Sequence, residues 1–289
     1  MRRTLALSLG LALCFAAGAA AQDSTAAVDD VELRYELTGQ GPPLVLIHGW
    51  THDLRTWVLQ MSALRRHFTV LRYDRRGWGR SGGHPDVSRD PVDLDRLMAE
   101  LGLDSAMVLG HSQGAHVALR FALAHPERVT ALGLYGSPPP EGFGLPWSGP
   151  DTLPSNMPEI VEQAGIDSLA AILFSHPLAR GFREGRPGSR LAGQMWATNG
   201  GRDLRDPRPP SGATPPPRTD RLGEIDVPTL VLTGERELPY FQVVADALAY
   251  GIRGAERIVV EGGGHAVHLQ EPERFTAEVL RFFGVTGTR

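Results

Sequence analysis

The 289-residue sequence contains no lysine and a single cysteine, Cys14, which lies in an apolar N-terminal run. Once that run is removed the chain has no thiol. It can then form no disulfide, use no cysteine nucleophile and hold no metal through sulfur. Lipid attachment at Cys14 is disfavoured, because the bulky Leu13 stands directly before it. An excess of positive charge is also missing: the formal charge is −4, and all 29 cationic residues are arginine. Losing Arg2 and Arg3 makes the remainder more acidic, and nothing in this balance suggests an electrostatic nucleic-acid surface, so no nucleic-acid partner is expected.

What is present begins with Arg2 and Arg3, a mostly apolar stretch over 5–17, and Gly18-Ala19-Ala20-Ala21 before the polar Gln22-Asp23-Ser24. This pattern predicts a secretory signal peptide over 1–21, cleaved after Ala21, and export to the periplasm or beyond. A retained membrane anchor needs about 20 apolar residues, and Ser8 and Gly10 interrupt this one early. No stable membrane insertion is expected after cleavage. With 42% hydrophobic residues, the rest is long enough for one compact catalytic domain with an insertion.

A polar linker is expected over 22–30. Residues 31–37 then alternate as a half-buried strand, and Leu44-Val45-Leu46-Ile47 reads as a fully buried one. Further strands are predicted over 68–73, 106–109, 129–134, 228–233 and 257–260. Helices are expected over 54–66, 92–101, 113–124 and 271–283. Short apolar strands alternating with helices imply a mostly parallel sheet covered on both faces, with the active site at the strands' carboxyl ends. The pattern breaks at Gly136. Residues 137–221, with prolines at 138, 139 and 140 and a second proline-rich run over 207–217, are expected to form a helical cap between core segments 31–136 and 222–289. Ile160, Leu169, Ile172, Leu173, Phe174 and Trp196 make that stretch too apolar for a disordered loop.

Two segments fit G-x-S-x-G: Gly79-Arg80-Ser81-Gly82-Gly83 and Gly110-His111-Ser112-Gln113-Gly114. Nucleophilic chemistry needs the serine on a tight turn between a strand and a helix, with the helix N-terminus facing the developing oxyanion. Ser112 meets this requirement. Ser81 stands far from the end of its strand and is followed by His84, Pro85 and Asp86, so it reads as a turn residue. Glycines at 110 and 114 suit a turn that brings neighbouring backbones close.

Attack on a carbonyl places negative charge on oxygen, which calls for two backbone donors. The amide of Gln113 is one candidate, and that of Trp50, in the loop after 44–47, is the other. His48 is expected to stabilise that loop by hydrogen bonding. The general base is expected at His265, in the loop opened by Glu261-Gly262-Gly263-Gly264, with His268 as a packing or surface residue. The orienting acid should lie between serine and histidine in the chain. Glu237 is the preferred candidate over Glu235, which reads as a solvated charge beside Arg236, and over Asp226, at the wrong end of its strand.

Together, Leu46-Ile47-His48-Gly49-Trp50, Asp53-Leu54-Arg55-Thr56-Trp57, Tyr73-Asp74-Arg75-Arg76-Gly77-Trp78-Gly79-Arg80-Ser81, Gly110 to Gly114, and Gly264-His265 to Pro272 resemble, in order, the α/β-hydrolase family. The likeness is strongest to its enol-lactonase-like and carboxylesterase-like branch. It implies the α/β-hydrolase fold, with Ser112 as nucleophile, His265 as base and Trp50 and Gln113 as oxyanion donors. Two departures stand out. The family's acid is usually aspartate where this chain has Glu237, and enol-lactonases act inside the cell whereas this chain opens with an export signal. Haloalkane dehalogenases and epoxide hydrolases carry aspartate in place of Ser112, and dienelactone hydrolases carry cysteine, so acyl transfer to water remains.

The expected activity is cleavage of a small-molecule carboxylic ester or lactone through an acyl-enzyme, with no cofactor and no metal. Two alternatives stay open. One is a peptidase or carbon–carbon bond hydrolase on the same triad, for which Asp151, Glu159, Glu162 or Asp167 in the insertion could hold an amine. The other is a ligand-binding protein without turnover.

Overall fold

The structure, a computed structural model, describes residues 23–149, 151–182 and 188–286. The predicted signal peptide falls outside these residues. Among them, no helix is long and apolar enough to cross a membrane.

Eight strands form one sheet. In chain order they are β1 (Ser24–Val28), β2 (Val31–Gly39), β3 (Pro43–Ile47), β4 (Thr69–Tyr73), β5 (Ala106–His111), β6 (Val129–Tyr135), β7 (Thr229–Gly234) and β8 (Glu256–Val260). They lie side by side as β1-β2-β4-β3-β5-β6-β7-β8. From β4 to β8 every neighbouring pair is parallel, while β2 runs antiparallel to both β1 and β4. The fold is that of an α/β hydrolase. Central strands β5 and β7 are buried at every position. Helices cover both faces of such strands, so nothing selects for polar alternation and they read as continuous apolar runs. The outer strand β2 alternates instead.

One sequence expectation is corrected at the edge of this sheet. Residues 22–30 are not a linker, because 24–28 form β1 and pair with β2 from Ser24↔Tyr35 to Val28↔Val31. The two-residue turn Asp29-Asp30 closes the hairpin with Asp29 at φ 49, a left-handed conformation that aspartate tolerates better than most residues. Ala26 and Val28 turn inward and are buried.

The crossovers of the sheet carry α1 (Val58–Leu64), α2 (Asp90–Glu100) and α3 (Gln113–Ala124). After β6 the chain leaves the sheet and forms α4 (Met157–Ala164), α5 (Ile166–Ser175), α6 (Ser189–Asn199) and α7 (Arg202–Arg205). It then returns through α8 (Pro239–Gly251), α9 (Val267–Gln270) and α10 (Pro272–Thr286). Helix α8 has no counterpart among the elements expected from the sequence, while α9 carries His268 on the first turn of a helix, as its sequence position suggests. Two hydrophobic clusters lie on opposite faces of the sheet, one containing Val45, Val108 and Phe121, the other Leu44, Met107 and Phe275. The loops that follow β3, β5, β7 and β8 meet at one end.

Candidate active site

At that end the chain turns from β5 into α3 through Ser112, whose φ of 53 is unusual for a residue with a side chain. Such strain persists only where the surroundings enforce it. Here the Ser112 amide donates to the carbonyl of Tyr135 at 2.8 Å, and the flanking glycines leave no room for relaxation. A Cβ on Gly110 would lie 2.1 Å from the Gly114 carbonyl oxygen, and one on Gly114 would lie 2.4 Å from that of Ile47.

The Ser112 hydroxyl donates to His265 Nε2 across 3.0 Å, and His265 Nδ1 donates to Glu237 Oε2 across 2.7 Å. A carboxylate oxygen only accepts, so this contact places the proton on Nδ1 and leaves the Nε2 lone pair facing the hydroxyl. Glu237 is buried and steadied by the Leu238 amide at 2.9 Å. The main chain of His265 is held at its carbonyl by the Tyr135 hydroxyl at 2.6 Å and by His111 Nε2 at 3.0 Å. Glu237 and His265 therefore meet Ser112 in the order the sequence suggested.

Trp50 and Ser112 line the same cavity. Gln113 is the first residue of α3, where backbone N–H groups have no partner within the helix. Gly49, just before Trp50, packs so closely that a Cβ there would lie 3.3 Å from that of Ser112. The two residues singled out in the sequence for their amides thus stand on either side of Ser112, Trp50 in the loop after β3 and Gln113 at the start of α3.

The competing residues have other partners. Ser81 donates to the Asp74 carbonyl at 2.6 Å and accepts from the Arg34 amide at 2.9 Å, as a turn residue should. His48 bonds the Gly49 carbonyl in its own loop at 2.8 Å and accepts from the Arg75 amide, just after β4, at 3.0 Å. His268 is buried on α9 and bonds Thr56 Oγ1 at 2.7 Å. Glu235 accepts from the Gly262 amide, and Asp226 is exposed.

Sequence reasoning did not weigh His52, His111 or Arg75, all of which crowd the site. His52, His111 and His268 form the one histidine group among the described residues in which one ring nitrogen from each lies within 4.8 Å of the others. Ligands about 2.1 Å from a tetrahedral zinc stand only about 3.4 Å apart, closer than this spread; His111 and His268 bond protein oxygens through Nε2, and the Nδ1 of each is buried with no hydrogen-bond partner among the described residues. Burial pushes His52 down to about 4 and holds His111 and His268 well below the usual imidazole range, so all three are neutral near pH 7. Their role is to pack the floor on which His265 rests, with the His111 ring 5.2 Å from that of His265.

The cavity above Ser112 has a volume of about 120 Å³. Its lining includes Trp50, Leu173, Phe174, Ala192 and Trp196, with no aspartate, glutamate or arginine among the described residues. Asp151, Glu159, Glu162 and Asp167 do not line it.

Comparison with known proteins agrees with this architecture. A Rhizobium rhizogenes protein named for carbamate hydrolysis is 30% identical over 279 residues, which cover 86% of this chain and 97% of the relative. The pimeloyl-acyl-carrier-protein methyl ester esterase of Vibrio vulnificus is 26% identical over 276 residues, covering 88% and 98%. Among solved structures, the enol-lactonase from Burkholderia xenovorans matches with a TM-score of 0.74 at 23% identity, over 90% of this chain and all of that one, a likeness of fold. The family model matches residues 44–278, from β3 to the middle of α10, and the chain accordingly belongs to the alpha/beta hydrolase family.

Proposed function

We propose that the protein is a serine hydrolase that cleaves carboxylic esters or lactones with a small, uncharged acyl group. The observation that carries this reading is the hydrogen-bonded chain from Ser112 through His265 to Glu237 at the floor of an apolar cavity. As Ser112 Oγ attacks the ester carbon, its proton passes to His265 Nε2. The carbonyl oxygen becomes an oxyanion held by the amides of Trp50 and Gln113, each such donor contributing about 10² to 10³ in rate. Collapse of this intermediate breaks the bond to the alcohol oxygen, which takes the proton from His265. Water, deprotonated by the same imidazole, then attacks the acyl-enzyme and releases the acid and free Ser112.

Size and polarity narrow the acyl group. A cavity of roughly 150 Å³ accommodates a benzene ring, so about 120 Å³ suits a short aliphatic or compact aromatic acyl. An aminopeptidase reading would need a carboxylate facing the substrate, and among the described residues no aspartate or glutamate lines the cavity.

Replacement of Ser112 by alanine tests the proposal. Turnover of p-nitrophenyl esters and labelling by a fluorophosphonate should both vanish while the melting temperature holds, and undiminished turnover would sink the assignment. We read residues 1–21 as a cleaved export signal. N-terminal sequencing of protein from the periplasm or medium checks that reading, and an intact Met1 there would refute it.

A further inference from the structure

Arg75 follows β4, and its side chain is completely buried. Its ion pair with Asp90 does not account for that position. Nη1 meets Asp90 Oδ2 at 2.6 Å, but the pairing is single: Asp90 Oδ1 and Arg75 Nε are buried with no hydrogen-bond partner among the described residues. An arginine placed for pairing presents two parallel bonds to a carboxylate. A buried pair with unmet groups seldom repays its desolvation.

The other nitrogen, Nη2, donates to two acceptors: the carbonyl oxygen of Gly49 at 3.2 Å and Gln113 Oε1 at 2.7 Å. Gly49 C=O and Trp50 N–H belong to one planar peptide unit, in which they point in opposite directions. Fixing the oxygen therefore fixes the direction of the Trp50 N–H. The carbonyl is held by a second route as well. The Arg75 amide donates to His48 Nε2 at 3.0 Å, so the proton sits on Nδ1, and Nδ1 donates to the Gly49 oxygen at 2.8 Å. The His52 amide adds a longer contact at 3.4 Å. Arg75 alone reaches across to the residue that carries the second donor.

We infer that Arg75 is the positioning residue of the oxyanion hole, tying the peptide that bears the Trp50 N–H to Gln113 through a single guanidinium nitrogen. The inference rests on the proposed serine-hydrolase reading. Its mechanism is geometric and electrostatic. The two loops are locked in register, and a cationic donor on a carbonyl polarises the peptide so that its N–H becomes a stronger donor. The consequence appears when the oxyanion forms. Arg75 should act on kcat and leave substrate binding nearly alone.

The experiment compares three variants of the full-length protein with the wild type. The double variant Arg75→Met with Asp90→Asn removes the cation without orphaning a buried carboxylate. Gln113→Met cuts only the tether and keeps the backbone amide, and Arg75→Lys keeps the charge but not the forked reach. The readouts are kcat and KM on a short-chain p-nitrophenyl ester, inhibition by an alkyl boronic acid that forms a tetrahedral adduct on Ser112, and the melting temperature. For the double variant kcat should fall about 10²-fold with KM within about threefold, and boronate affinity should fall in parallel. Gln113→Met should lose about tenfold in kcat, and Arg75→Lys should fall between the two. If the folded double variant keeps kcat within about threefold, the inference is overturned. If the double variant does not fold, Gln113→Met decides, and unchanged kcat there overturns the bridge. A Ser112→Ala protein that still hydrolyses the ester would instead overturn the serine-hydrolase reading itself.

Discussion

The cavity has two walls of unlike construction. On the sheet side, Ser112, His265 and Glu237 sit on loops rooted in β5, β8 and β7, and each is held by at least one backbone hydrogen bond or buried carboxylate contact. On the other side, α4 has no buried residue, and α5 buries only Leu169 and Leu173. The cap is fastened at its far end, where Asn199 accepts from the Gly79 amide at 2.8 Å and donates to Asp53 Oδ2 at 2.9 Å. The sheet wall carries polar groups in fixed directions, while the cap wall supplies apolar surface. Chemistry and selectivity should therefore respond to different substitutions.

The sharpest test of the sheet wall is Glu237→Gln. An amide in place of the carboxylate no longer stabilises the imidazolium and can favour the wrong tautomer, so kcat should drop by about 10³ to 10⁴ with little change in KM. Steady-state kinetics on a short-chain ester measure this. A loss of less than about tenfold would move the orienting acid away from Glu237.

A second test is acid stability. Burial holds His48, His111 and His268 well below the ordinary imidazole value, and His52 at about 4. In the unfolded chain these histidines take up protons near pH 6.5. Their contribution is therefore complete above about pH 6.5 and is lost as the pH falls toward the folded values, at up to about 1.4 kcal/mol per pH unit for each. Asp90, pushed up to about 6 by burial, acts in the opposite sense, contributing most at low pH and losing that contribution as pH rises through 6. Four histidines outweigh it. The melting temperature should fall by more than about 10 °C between pH 6.5 and 4.5, and a flat profile in calorimetry would show that these rings are hydrated.

The same division between walls governs what could be read from the sequence. Helix α3 occupies the residues expected for it, 113–124, because a buried strand, a glycine-flanked serine and an apolar helical face follow one another without interruption. Strand β1 was missed because Ser24-Thr25-Ala26-Ala27-Val28 offers only Ala26 and Val28 as inward residues, too short an alternation to register. Arg75 was legible as part of a motif but not as a buried group. Amid Arg72, Arg76 and Arg80 it looks like one more member of a solvated charge run, and its partners Asp90, Gly49 and Gln113 are distant in sequence. The cap gave its helical character but not its arrangement, since helices with so little buried surface carry a weak periodic signal.

On the cap wall, Ala192 of α6 is buried and faces the cavity. Ala192→Phe should fill much of the space above Ser112. The ratio of kcat/KM for a benzoate to that for an acetate should fall by about 10- to 100-fold, since small steric differences in such pockets are worth about 1–3 kcal/mol. An unchanged ratio would mean that the acyl group lies elsewhere.

The smallest expected effect lies where the walls join. Trp50 belongs to the sheet side, but its indole Nε1 donates to Asp203 Oδ2 of α7 at 2.8 Å. Burial raises the Asp203 carboxyl above its ordinary value despite that bond, and its other oxygen is buried with no hydrogen-bond partner among the described residues. Asparagine at this position can still accept from the indole, whereas alanine cannot. Because the Trp50 peptide is held from the sheet side by His48 and Arg75, losing the indole contact should loosen the side chain more than the amide. Asp203→Ala is therefore expected to lower kcat/KM by about three- to tenfold, mainly through KM, and Asp203→Asn by less than about twofold. An equal loss in both variants would point to the charge of Asp203. A loss confined to kcat in Asp203→Ala would mean that the cap helps to aim the Trp50 amide, and the division between the two walls would fail at that residue.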